Sequence, residues 1–95
     1  MLAGGWKESS GLTEEQYTMV TELRHAVQEK AGKEFAHFNP VAIRSQVVAG
    51  TNFFVKIQVS ESEYIHVKIF RPLPHTQEGP QVNEVHLEKS QHDEL

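Results

Sequence analysis

The spacing of apolar residues changes once along the chain, and this change constrains the fold more than any other feature. Between Thr13 and Gly32, apolar residues recur every three or four positions, which predicts one long amphipathic helix. Thr13 and Gln16 have the spacing of a capping box at its start, and Gly32 is suited to end it. The apolar stripe consists of Tyr17, Val20, Leu23, Val27 and Ala31.

From Pro40 onward, apolar and polar residues alternate, which predicts β-strands. The predicted inward residues of four strands are Val41, Ile43 and Val47; Phe53, Val55, Ile57 and Val59; Ile65, Val67 and Ile69; and Val85 and Leu87. Short connections favour an antiparallel meander. We therefore expect an α+β fold, with an antiparallel β-sheet wrapped around one long α-helix. The 95 residues suit a single domain, residues 1–95, in which residues 1–12 form an N-terminal arm.

Composition excludes several classes of function. Lys and Arg number 9 against 13 Asp and Glu, and no basic run occurs, so nucleic acids and anionic membranes are disfavoured as partners. The absence of cysteine indicates a reducing compartment. No signal peptide or membrane-spanning run is seen, so we expect a cytoplasmic protein. The ending His92-Asp93-Glu94-Leu95 matches an ER-retention tetrapeptide, which we interpret as coincidence without a signal peptide.

Two connections of the predicted meander are unusually apolar. In the segment from Val47 to Thr51, Gly50 alone has turn chemistry, and in the third connection Leu73 lies between two prolines that restrict the backbone. The first and third turns of a meander emerge at the same end of the sheet, so these tips should form one contact surface. An alternative stays open, in which Val47 ends its strand facing inward and Leu73 caps the core.

The run Gln46-Val47-Val48-Ala49-Gly50 resembles the Q-V-V-A-G signature of the cystatin superfamily. The longer run 45–52 looks like the form found in the stefins, the type 1 cystatins. The resemblance covers nearly the whole chain, because a glycine-containing arm, a long helix, the signature hairpin, the strand at 66–68, the segment 73–75 and the tail at 92–95 follow one another in that order.

This resemblance implies a wedge that enters the active-site cleft of papain-like cysteine proteases of the cathepsin L, S, H and B types. Its contact segments would be the arm, the hairpin between the first and second strands, and the third connection around Leu73, which we call the second loop. The implied protease-binding residues are Gly4, Gly5, Gln46, Val47, Val48, Ala49, Gly50, Leu73, Pro74 and His75. The implied activity is tight, reversible, competitive inhibition that needs no catalytic residue, cofactor or metal. The active form would be a monomer, with a domain-swapped dimer as an inactive alternative.

Three other functions are alternatives to inhibition. An enzyme is disfavoured because the chain has no thiol and no motif that pairs a serine with a base. A metal site could form from His66 and His86 with Glu84 and Glu88, but solvated surface histidines are the commoner case. The remaining alternative is a binding module that keeps the stefin scaffold without inhibiting proteases.

Overall fold

A computed structural model describes residues 10–95, which form a four-stranded antiparallel sheet with strand order β1-β2-β3-β4. The strands are β1 (Asn39–Val48), β2 (Gly50–Gln58), β3 (Tyr64–Arg71) and β4 (Gln81–Lys89). A single 3₁₀ turn, Pro74–Thr76, lies in the connection between β3 and β4. The predicted α+β class and the predicted meander are therefore confirmed.

The helical region has two segments, α1 (Glu14–Glu22) and α2 (Arg24–Ala31), so the prediction of one long helix was wrong at Leu23. Leu23 has φ −89° and ψ 5°, and its N–H donates to the Val20 carbonyl at 3.1 Å, which tightens the turn locally. The apolar spacing continues through the break, because Leu23 still packs against the core. Periodicity alone could not reveal the interruption.

Both predicted helix ends are confirmed. The Thr13 hydroxyl accepts from the Gln16 N–H at 3.2 Å, and the Gln16 side chain accepts from the Thr13 N–H at 2.9 Å. At the other end, Gly32 adopts φ 74°, a left-handed conformation that suits glycine. These two caps satisfy backbone groups that a helix terminus otherwise leaves unpaired.

The core lies between the helical region and one face of the sheet. Val20 and Val27 contribute fully buried side chains from α1 and α2. The other buried core residues are Phe35, Ile43, Phe53, Val55, Ile57, Val59, Ile65, Val67 and Ile69. Every inward residue predicted for the second and third strands is thus confirmed. Removal of such side chains from water supplies roughly 1.5–3 kcal/mol each.

Four predicted inward residues face solvent: Tyr17, Val41, Val47 and Leu87. Tyr17 is largely exposed, and its hydroxyl donates to the Asn39 side chain at 3.5 Å. Val41 is exposed because the β1–β2 register shifts between Pro40 and Ala42, so that Pro40 is buried in its place. An extra residue in one strand breaks the alternation of faces. Leu87 on β4 is exposed for a similar reason, a shift in the register of its strand pair, and Val47 belongs to the hairpin tip described below.

The β3–β4 ladder shifts register twice, and Glu88 has the left-handed φ of 59°. Val82 and Val85, three positions apart, therefore both pack against the core, whereas Leu87 is 39% exposed. A strict alternation predicts Val85 correctly and Leu87 wrongly.

The chain before the helix pairs with the free edge of β1. Ser10 forms an isolated antiparallel bridge with Ile43, with N–H to carbonyl distances of 2.9 Å and 2.8 Å. Since β1 runs toward the β1–β2 turn, the chain at Ser10 runs away from that turn. No helix within residues 10–95 combines the length and hydropathy needed to cross a bilayer.

Candidate functional site

The β1–β2 hairpin ends in a very tight tip. Val47 pairs with Thr51 and Val48 pairs with Gly50, which leaves Ala49 alone at the turn. Val47 is 48% exposed, and Val48 and Ala49 are exposed as well. The alternative in which Val47 ends its strand facing the core is therefore wrong, and the hairpin presents apolar side chains to solvent.

Gly50 is the one residue of the tip that is buried, and its place requires glycine. Its φ is 121°, a conformation that side chains rarely tolerate. A Cβ atom there would lie 2.6 Å from the Arg71 carbonyl oxygen and 2.9 Å from the Phe70 ring. The hairpin tip therefore packs directly against the end of β3, from which the second loop begins.

The second loop is held by hydrogen bonds of its own. The Leu73 carbonyl accepts from the Thr76 N–H at 3.0 Å and from the Thr76 hydroxyl at 2.8 Å. The Gln77 N–H donates to the Pro74 carbonyl at 3.2 Å. Leu73 itself is extended, with φ −61° and ψ 147°, and its side chain is 39% exposed. The alternative in which Leu73 caps the core is wrong, because it lies outside the buried cluster.

These two loops share one end of the sheet, as the meander predicts. A groove between them and the start of α1 is lined by Glu15, Gly50, Thr51, Arg71, Pro72, Leu73, Pro74, Glu78 and Pro80. Gln46 lies lower on the hairpin, where its side-chain oxygen accepts from Asn52 at 3.0 Å. His75 is exposed in the 3₁₀ turn. Gly4 and Gly5, the predicted residues of the arm, lie outside the described residues.

Arg71 belongs to this region and was not singled out from the sequence. Its guanidinium lies 5.2 Å from the centroid of the Phe53 ring and 3.8 Å from the Glu15 carboxylate. It thus joins the end of β3 to the start of α1, although an exposed ion pair of this length contributes little energy. A basic residue at a strand end carries no distinctive signal in the sequence.

The histidines considered for metal binding are neighbours, since His66 pairs with His86 across β3 and β4. Within the described part of the chain, no group of three metal-ligating side chains is close enough to hold an ion. The expectation of a solvated His66 is also wrong, because its side chain is only 2% exposed. Burial, followed by the charge of Lys56, lowers the pKa of His66 from 6.5 to about 4.

Residues 13–92 match the family model described as the cystatin domain. Cystatin-B of Pan troglodytes is 35% identical over 95 residues, which cover all of this chain and 97% of that protein. Cystatin-B of Homo sapiens is 34% identical over the same coverage. Stefin-C of Bos taurus is 35% identical over 92 residues, or 97% of this chain and 91% of that protein.

Proposed function

The chain belongs to the cystatin family, of the stefin type, and from this premise we propose that it inhibits papain-like cysteine proteases reversibly, tightly and competitively. The observation that carries the proposal is the packing of Gly50 against the Arg71 carbonyl. It joins the hairpin tip and the second loop into one edge. Such an edge has the form of a wedge that can enter a cleft.

The apolar tips supply the binding energy in this mechanism. Val47, Val48 and Leu73 present half-exposed side chains whose transfer from water into a protease cleft is favourable. Backbone hydrogen bonds already hold both loops, so little conformational entropy is lost on binding. Gln46, Ala49, Pro74 and His75 complete the described part of the proposed contact.

Inhibition in this mechanism is occlusion. The wedge fills the cleft without presenting a scissile carbonyl to the thiolate of the enzyme, so no bond of the inhibitor is cleaved. Substrate and inhibitor exclude each other because both need the same cleft. The inhibitor therefore requires no catalytic residue, cofactor or metal.

We assign Gly4 and Gly5 to the same contact, as the third segment of the wedge. The support is the direction of the chain at Ser10, which runs antiparallel to β1 beside Ile43. An arm that approaches Ser10 from the side of the hairpin tip would pass close to the cleft. A glycine there would let the backbone lie against the enzyme surface.

The proposed targets are proteases of the cathepsin L, S, H and B types, bound by the monomer, and the proposed compartment is the cytoplasm. The resemblance to the stefins supports both, together with the absence of cysteine. A non-inhibitory binding module on the same scaffold is the alternative, and it predicts no effect on these enzymes.

The deciding experiment is a titration of papain with the purified monomer, followed with a fluorogenic peptide substrate. We expect a stoichiometric loss of activity that is recovered on dilution and reduced by excess substrate. The monomer is isolated by size-exclusion chromatography immediately before use. Full papain activity at micromolar excess of the protein would contradict the inhibitor proposal and favour the non-inhibitory module.

A further inference from the structure

The last six described residues, 90–95, cross the face of the sheet that points away from the helix, and we call them the strap. Lys56 on β2 donates from Nζ to the Gln91 carbonyl at 2.7 Å and to the Asp93 carbonyl. Arg44 on β1 donates to the Leu95 carbonyl. The strap thus begins at the end of β4, passes over β2 and reaches β1.

Lys56 is the central anchor of the strap. It is only 8% exposed, although its side chain ends in an ammonium group. A buried charge is costly unless hydrogen bonds replace its water, and the strap carbonyls supply those bonds. The strap is also folded on itself, because the Ser90 N–H donates to the Asp93 carboxylate at 2.8 Å and the Asp93 N–H donates to the Ser90 carbonyl at 3.2 Å.

His66 lies beside this anchor, paired with Lys56 in the β2–β3 ladder. Its Nε2 atom is buried and has no hydrogen-bond partner among residues 10–95. One side of its ring meets the Phe54 ring, at a centroid distance of 5.9 Å in an edge-on arrangement. This surrounding tolerates a neutral imidazole, but it offers Nε2 no hydrogen-bond acceptor for an added proton.

The charged and titratable groups that face His66 come from three elements. Lys56 lies on β2, His86 and Lys89 lie on β4, and Asp93 belongs to the strap. Two of these groups are cations at neutral pH, and Asp93 is the one anion among them. A proton added to His66 therefore enters a site that is already positive. Because His66 is only 2% exposed, solvent can reach the imidazolium only if its surroundings move.

From this arrangement we infer that the strap is an acid-sensitive latch, held closed by Lys56 and opened by protonation of His66. The inference does not depend on protease inhibition. It also gives the segment from His92 to Leu95 a structural role, since its backbone carbonyls at Asp93 and Leu95 are the atoms that fasten the strap. When the latch opens, the outer face of β1 and β2 becomes accessible.

The size of the effect follows from proton linkage. His66 in the closed state takes up a proton at a pKa of about 4, whereas an exposed imidazole does so near 6.5. Between these values, the equilibrium constant for opening rises about tenfold for each unit by which the pH falls. Asp93 acts below this range, because the Ser90 N–H lowers the pKa of its carboxyl.

Hydrogen exchange measured by NMR on the full chain tests the latch. The probes are the amides of Ser90 and Asp93, with exchange rates divided by the intrinsic rate at each pH. We expect their protection to fall about tenfold per pH unit between pH 6 and pH 4.5, while amides of β2 and β3 stay protected. In His66→Phe or His66→Gln, this slope should disappear, and in the exposed control His37→Gln it should persist.

Two further measurements complete the test. Lys56→Met keeps the buried stem and removes the donor, so Ser90 and Asp93 should lose protection even at pH 7. If neither His66 variant folds, an NMR titration of the wild-type imidazole replaces them. The imidazole titration and the chemical-shift changes of the Ser90 and Asp93 amides should then have the same midpoint pH. Protection that stays constant down to pH 4.5, or that changes only below pH 4 with Asp93, would overturn the inference.

Discussion

The α-carbon of Gly50 faces the carbonyl oxygen of Arg71 so closely that no side chain fits between them. A Cβ atom would meet that oxygen at 2.6 Å, and the Phe70 ring is almost as near. The two residues are 21 positions apart, and their contact sets the distance between the hairpin tip and the second loop. The proposed wedge depends on this one approach of two backbones.

Gly50→Ala should therefore lower both stability and inhibition. Alanine would have to keep the positive φ of 121° that glycine adopts there, and its methyl group would displace the Arg71 carbonyl. Together these should destabilise the protein by about 2 kcal/mol. Chemical denaturation measures the loss of stability, and papain titration measures the weaker inhibition. The matched control is Gly79→Ala, since a Cβ there meets nothing within 4 Å. Equal effects of the two variants would contradict the packing argument.

Leu73→Ala should weaken inhibition without unfolding the protein. Leu73 lies outside the core, so the free energy of unfolding should change by less than about 0.5 kcal/mol. The loss of an apolar anchor at an interface should raise the inhibition constant for papain about tenfold or more. Leu87→Ala is the control, because Leu87 is exposed to the same 39% but lies on β4. If both variants inhibit as well as the wild type, Leu73 does not contact the enzyme.

Replacing Gly4 with glutamate should weaken inhibition if the arm lies against the protease. A bulky charged side chain would hold the backbone away from the cleft and leave a carboxylate without its water. Steady-state inhibition of papain gives the change, and urea denaturation should show unaltered stability. Gly11→Glu serves as the control, since Gly11 is exposed and surrounded by open space. Unchanged inhibition by the Gly4 variant would remove the arm from the mechanism.

The stability of the whole domain should fall as the pH is lowered from 6.5 to 4. Burial lowers the pKa of His66 to about 4, so the unfolded chain binds the proton more tightly than the native state does. The stabilisation is therefore complete above pH 6.5 and is lost as the pH falls toward 4, by at most about 3 kcal/mol. Denaturant titrations at several pH values measure this loss. His66→Phe should reduce the slope in that interval, and His37→Gln should leave it unchanged.

Mild heating should convert part of the monomer into an inactive dimer. The β1–β2 tip has little turn chemistry apart from Gly50, so the hairpin can open and exchange its strands with a second copy. Exchange extends the tip and removes the contact surface. Size-exclusion chromatography separates the two species, and papain titration of each fraction gives its activity. A dimer that inhibits as well as the monomer would exclude exchange at this hairpin.

Several features of the fold could be predicted because they depend on local spacing. The alternation from Phe53 to Val59 identifies the inward face of β2, since side chains of a strand alternate whatever surrounds it. Thr13 and Gln16 mark the start of α1, because a capping box needs only residues three positions apart. The apolar hairpin and the loop around Leu73 were found in the same way, and their placement at one end followed from meander topology.

Other features could not be predicted, because they depend on residues far apart in the chain. The register shifts that turn Val41 and Leu87 outward are properties of a pair of strands, and neither strand alone carries a signal for them. The break at Leu23 leaves the apolar spacing unchanged. Arg71 gains its position from Phe53 and Glu15, which no local pattern connects to it.

The sequence by itself determined the class of fold, the main core residues of β2 and β3, and the family, because these depend on periodicity and on a contiguous signature. Only the tertiary structure decided that Gly50 meets the Arg71 carbonyl and that Lys56 and His66 are buried. Both lysine and histidine occupy outward positions of alternating strands, where a sequence predicts exposure. Lys56 is buried because a segment about 35 residues later folds back over it and supplies carbonyl oxygens in place of water, and His66 is its neighbour across the β2–β3 ladder.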